Sequence, residues 1–121
     1  MARGTPGKDD LAMVEPLSCD LSALSEAQRR RHSELTRFML SRHGAVKELA
    51  DGYEFEFKND TNVFLKIAEW MVLERICCPF LSFSLELGEQ NQPVRVAIRG
   101  PEGTKQIFQD VIKDAHLLPE L

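Results

Sequence analysis

Tyr53-Glu54-Phe55-Glu56-Phe57-Lys58-Asn59-Asp60-Thr61, with the run that follows it as far as Pro79, decides the fold. The first five residues alternate apolar and acidic. A period of two puts Tyr53, Phe55 and Phe57 on one face of a strand and leaves Glu54 and Glu56 on a wet face. Asn59-Asp60 then supplies a turn and a helix N-cap, because a short side-chain oxygen can accept from the orphan N–H groups of a first turn. The spacing predicts a helix over about Thr61 to Cys78. Pro79 ends it, since the residue before a proline is pushed out of helical geometry. The same rule leaves the direction of Cys78 the least fixed in this stretch.

Working outward, Ser25 and Gln28 match a capping box in front of a second helical pattern. Leu24, Leu35, Phe38 and Met39 give it a partial apolar stripe, and Gly44 stops it. Downstream, Leu81, Phe83, Leu85 and Leu87 alternate with Ser82, Ser84 and Glu86. After the loop from Gly88 to Pro93, Val94, Val96 and Ile98 alternate with Arg95, Ala97 and Arg99. Two half-buried strands around a short loop predict an antiparallel hairpin. Gly100-Pro101-Glu102 opens a last helix, with proline at a tolerated first position and Ile107, Phe108, Val111 and Ile112 facing inward.

The expected fold is α+β in the order α-β-α-β-β-α: a small mixed three-stranded sheet with its helices on one face. The opposite face carries Glu54, Glu56, Ser82, Ser84, Glu86, Arg95 and Arg99, whose charges can pair across strands or across a two-fold homodimer. Residues 1–15 read as a mobile segment rich in Gly, Pro, Asp and Lys, residues 16–121 as one domain, and Leu117 to Leu121 as a tail.

Composition narrows the function classes. At 121 residues the chain has room for one core. The most apolar stretch, Val63 to Phe83, is broken by Lys66, Glu69, Glu74 and Arg75, so no membrane span fits. Met1 to Pro16 holds no apolar core of a signal peptide, and a cytoplasmic location is expected. A net charge of −4 argues against nucleic acid as a partner. The basic run Arg29-Arg30-Arg31-His32 cannot form one flat stripe on a helix and reads as a solvated face. His32, His43 and His116 lack ligand-like spacing and read as surface residues. No phosphate-binding loop, dinucleotide fingerprint, nucleophile elbow or zinc-protease motif is present.

Chemistry concentrates in Glu74-Arg75-Ile76-Cys77-Cys78-Pro79-Phe80. On a helix Glu74 lies one turn before both cysteines, in an apolar stripe where a carboxylate is costly unless paired. Thiolates suit thiophilic metal ions. Cys77 and Cys78 can reach one ion, Glu74 can complete the set, and Cys19 adds a third sulfur if the approach segment passes over the helix end. Three cysteines in a reducing compartment are expected as thiols, metal ligands or redox groups, not as a disulfide scaffold. Thiol redox chemistry is an alternative, through a strained, easily reduced bridge between the neighbouring Cys77 and Cys78 with Glu74 accepting a proton. It is opposed by the negative end of the helix dipole, which disfavours thiolates. A small-molecule pocket of Trp70, Phe80, Phe83 and Phe38 anchored by Glu74 is another. The plainest alternative is a non-catalytic interaction domain whose cysteines are buried hydrophobes, with Glu74 paired to Arg75, Arg37 or Arg42. No residue set argues for a particular reaction.

The stretch Ala68 to Phe80, followed by alternating Phe83 and Leu85, resembles a group of small uncharacterised bacterial proteins with an E-R-x-C-C-x-F core and no established function. Members often carry Cys-x-Leu-Ser ahead of the first helix, here Cys19-Asp20-Leu21-Ser22. The resemblance implies a bacterial origin. It also implies that Cys19, Glu74, Cys77 and Cys78 belong to one constellation, which favours the metal site.

Overall fold

The computed structural model describes residues 19–114, with side chains through residue 109. The expected N-terminal segment, the tail and the inward aspect of Val111 and Ile112 lie outside the described residues. Helix α1 (Glu26–Arg42) leads into strands β1 (Val46–Leu49) and β2 (Gly52–Phe57). Helix α2 (Thr61–Cys77), strands β3 (Ser82–Glu86) and β4 (Val94–Arg99) and helix α3 (Thr104–Asp114) follow. Among the described residues the fold is α+β with three α-helices.

The expected sheet needs correction. It has four strands in the order β1-β2-β4-β3, and every neighbouring pair is antiparallel. The β2-α2-β3 crossover does make β2 and β3 parallel, but β4 inserts between them, so no parallel pair forms. Strand β1 is the extra one. Its burial runs half-buried, exposed, exposed, half-buried, which shows no alternation. It is held by its hairpin register with β2, from Val46 opposite Phe55 to Leu49 opposite Gly52.

Local chemistry sets the element ends. Ser25 Oγ accepts from Gln28 N–H at 3.1 Å, and Gln28 Oε1 accepts from Ser25 N–H at 2.9 Å, the reciprocal capping box. Asp60 Oδ1 caps α2, accepting from Asn62 and Val63 N–H at 2.8 and 3.2 Å. Helix α1 stops at Arg42, and the Gly44 N–H turns to the sheet, donating to the Glu56 carbonyl at 2.6 Å. Helix α3 starts at Thr104 rather than beside Pro101, because Gly103 sits at φ 101°, in the left-handed region that breaks a helix. Gly52 is required by crowding: a Cβ there would lie 1.8 Å from the Ile98 carbonyl oxygen.

Tyr53, Phe55 and Phe57 pair with Ile98, Val96 and Val94, while Phe83 and Leu85 flank Ile98 and Val96 from the other edge. This apolar face receives Leu35 and Met39 of α1 and Val63, Ile67, Trp70 and Leu73 of α2, all buried in one core. Helix α3 is tied to the β1–β2 hairpin by Lys105, which pairs with Glu48 and lies over the Tyr53 ring. The other face of the sheet is polar, and two of its arginines are paired within the chain: Arg95 with Glu56 at 3.5 Å and Arg99 with Asp51 at 3.4 Å. Among the described residues no helix is long and apolar enough to cross a membrane.

Candidate functional site

Helices α1 and α2 run antiparallel and meet through two buried polar rungs. Trp70 Nε1–H donates to Thr36 Oγ1 at 3.0 Å, and the Thr36 hydroxyl donates to the His32 carbonyl at 2.8 Å. One turn away, His32 Nε2 lies 2.6 Å from Glu74 Oε1, with both side chains largely buried at 14% and 8% exposure. The ring nitrogen facing the carboxylate is the donor, and the His32 ring stacks near Trp70 with centroids 6.4 Å apart. A buried carboxylate requires such a partner.

The packed-cysteine alternative pairs Glu74 with Arg75, Arg37 or Arg42. The partner of Glu74 is instead His32, while Arg37 donates to Ser33 Oγ and Arg42 lies over the Phe38 ring. His32 is therefore not the surface residue expected. It shares a helix face with Leu35 and Met39, three and seven residues on. The preceding arginines do form local surface pairs: Arg30 with Glu26, and Arg31 with Glu34 and, in a bidentate contact at 2.8 Å, with Glu69.

Three sulfurs converge on Glu74. Helix α2 ends at Cys77, and Cys78 leaves helical geometry at φ −130°, ψ 70°, as Pro79 dictates. The approach segment crosses this end. Asp20 N–H donates to the Cys77 carbonyl at 2.7 Å, and Asp20 Oδ1 caps the 3₁₀ turn Leu21–Ala23. That placement brings Cys19 against Cys78, and the two form a disulfide with Cα atoms 4.6 Å apart. Cys19 is an exposed residue and Cys78 a fully buried one, and their bond overturns the expectation that the cysteines form no disulfide: the approach segment crosses the end of α2 and brings the two sulfurs together. Glu74 Oε2 lies 3.2 Å from Cys78 Sγ, a contact that becomes an S–H···O hydrogen bond only once the bridge is open.

Cys77 remains a free, buried thiol. Its sulfur lies 3.5 Å from the Glu74 carbonyl oxygen, 3.8 Å from Glu74 Oε1 and 3.7 Å from Cys78 Sγ. Burial, reinforced by the Glu74 charge, pushes its pKa up to about 11. At neutral pH it is a protonated thiol, and a hydrolase-type thiolate nucleophile is not set up here.

The four expected site residues thus come together, and His32 joins them. Two donor sets share Glu74: Cys19, Glu74 and Cys78, and His32, Glu74 and Cys77, with the ligand atoms of each set within 4.8 Å of one another. A cavity of about 270 Å³ opens beside them. Cys19, Glu74 and Cys77 are among the residues that line it, and Phe55, Phe57 and Ile98 of the sheet and Phe108 of α3 contribute apolar wall. Of the aromatic residues expected to line a pocket, only Trp70 does so here. Phe83 packs edge-on against Trp70 and faces a separate groove between α2 and β3, and Phe38 lies under Arg42 and Lys66. No protein-family model, no curated protein and no solved structure matches the chain.

Proposed function

We propose that the reduced protein binds a thiophilic metal ion at the end of α2, with Cys19 and Cys78 as thiolate ligands, Glu74 as carboxylate ligand, and Cys77 and His32 as further donors. The observation that carries this reading is that three sulfurs and an imidazole gather around one carboxylate, in two sets that share Glu74. Soft sulfur with borderline nitrogen suits zinc, copper(I) or mercury(II) rather than magnesium or calcium. Closure of the Cys19–Cys78 bridge removes two ligands, so binding belongs to the reduced state. Ligation of Cys77 displaces a proton held by its raised pKa, which couples binding to proton release.

Native mass spectrometry of the reduced chain with zinc, copper(I) and mercury(II), beside a Cys77→Ser/Cys78→Ser variant, tests the reading. A metal adduct on the wild type that disappears in the variant supports it. No adduct with any of the three ions overturns it.

The bridge itself favours a second reading, thiol–disulfide exchange. A thiolate from a small dithiol attacks the sulfur of Cys19, the exposed residue of the pair, the Cys19–Cys78 bond breaks, and Cys78 leaves as a thiolate beside Glu74. A second attack within the mixed disulfide releases Cys19 and the oxidised dithiol. Two electrons and two protons pass from the dithiol to the protein, and Glu74 Oε2 lies 3.2 Å from the Cys78 sulfur that takes up one of them. The measured reduction potential distinguishes a labile bridge from a permanent staple.

A further inference from the structure

The cavity beside the thiols is chemically unlike an ordinary ion site. A hydrated dication fills its remaining coordination positions with water, and that water needs polar partners. Beyond Glu74 and His32 the polar lining is Thr36, whose hydroxyl is already bonded to Trp70 and to the His32 carbonyl, and His43, whose Nδ1 is paired with the Gly44 carbonyl; the walls are otherwise apolar, with Phe55, Phe57, Ile98 and Phe108 among them. An apolar cavity of about 150 Å³ is enough to hold benzene and stays dry when empty. The cavity here is about 270 Å³.

We propose that cavity and thiols form one site for a thiophilic centre carrying a single small apolar organic group, an organometal cation of the type R–M⁺ such as monoaryl mercury(II). This inference rests on the metal-binding reading above and names the class of ligand it serves. Cys77 lines the cavity and is free whether or not the bridge is closed. Its S–H bond breaks as the S–M bond forms. The proton passes to the Glu74–His32 pair and on to water, and no electron changes hands. The product, R–M–S, is neutral, so an apolar enclosure accepts it where it would reject an unpaired charge. The organic group then occupies the space between the sheet and α3, while Glu74 stands against the metal.

The test holds the metal fixed and varies the organic group. Inorganic mercury(II), methylmercury(II) and phenylmercury(II) are each titrated into the reduced full-length protein against a competing small thiol. Bound metal is read by native mass spectrometry, and each affinity is referred to that probe's affinity for the competitor. The ring buried in the cavity is expected to give phenylmercury an advantage over methylmercury of about tenfold or more. Leu40 and Ile107 also line the cavity; Leu40→Trp and, separately, Ile107→Trp narrow it while keeping every cysteine, Glu74 and His32, and either is expected to erase that advantage and leave inorganic mercury(II) binding intact. Equal referred affinities of phenyl and methyl for the wild type, with inorganic mercury(II) still bound, overturn this inference and leave the metal site standing. Failure of the reduced wild type to bind inorganic mercury(II) at all overturns the metal reading beneath it.

Discussion

Opening the Cys19–Cys78 bridge is the perturbation whose size follows most directly from the chain. The two cysteines are separated by 59 residues. Closing a loop of that length removes about 14 cal/mol/K of entropy from the unfolded ensemble, which is about 4 kcal/mol at 25 °C. A domain of this size has a net stability of about 5–15 kcal/mol, so the loss is a large part of the whole. Between the scalings for smaller and larger domains, it lowers the melting temperature by roughly 12–20 °C. The assay is thermal or denaturant unfolding of one preparation with and without a strong reductant. Cys77→Ser keeps the bridge, cannot exchange with it, and is expected to show the full drop. Cys19→Ser is expected to start at the lower stability and to be indifferent to reductant. Adding a ligand metal at a hundred times its dissociation constant to the reduced wild type restores about 2.7 kcal/mol. A wild-type midpoint that shifts by less than about 1 kcal/mol on reduction would refute the reasoning, because the covalent loop would then not be constraining the unfolded chain.

Other perturbations have equally definite signs. His32→Ala leaves the Glu74 carboxylate buried without its 2.6 Å partner, and urea unfolding is expected to show a loss of about 1–3 kcal/mol. In the oxidised protein Cys77 is the one free thiol of three cysteines, so thiolate absorbance in the ultraviolet reports it alone. It is expected to titrate near pH 11, and Glu74→Gln, by removing the second-largest cause of the raised pKa after burial, moves the midpoint downward. Because the folded protein holds this proton more tightly than an ordinary thiol of pKa 9.0, the stability it contributes is fully present below about pH 9 and is lost as pH rises toward about 11. A flat stability across that window would contradict the assignment. Gly52→Ala drives a methyl group into the Ile98 carbonyl oxygen and is expected to cost at least about 1–3 kcal/mol in the same unfolding assay.

What the sequence made legible is what short-range chemistry controls. Asp60 caps α2, Ser25 and Gln28 cap α1, Pro79 turns Cys78 out of the helix, and the alternation of β2, β3 and β4 shows which residues enter the core. Strand β1 escaped because an edge strand with two half-buried ends around Lys47 and Glu48 has no periodic signature. The insertion of β4 between β2 and β3 escaped because strand order is fixed by partners far apart in the chain. The site divides in the same way. Glu74, Cys77 and Cys78 share one helix end and could be grouped by spacing alone. Cys19 joined them only on the condition that the approach segment crosses the helix end, and through the resemblance; its bond to Cys78 spans 59 residues and leaves no local trace. His32 was hidden in a basic run, although its spacing to Leu35 and Met39 placed it on the buried face of α1. The partner that gives it meaning lies 42 residues away.

X-ray absorption at the zinc edge of the reduced, zinc-loaded protein tests the central claim most directly. The account predicts a shell with at least two sulfurs at about 2.3 Å and nitrogen or oxygen at about 2.0–2.1 Å, losing sulfur in Cys78→Ser. A shell of nitrogen and oxygen alone, or zinc that desalting removes, would contradict it.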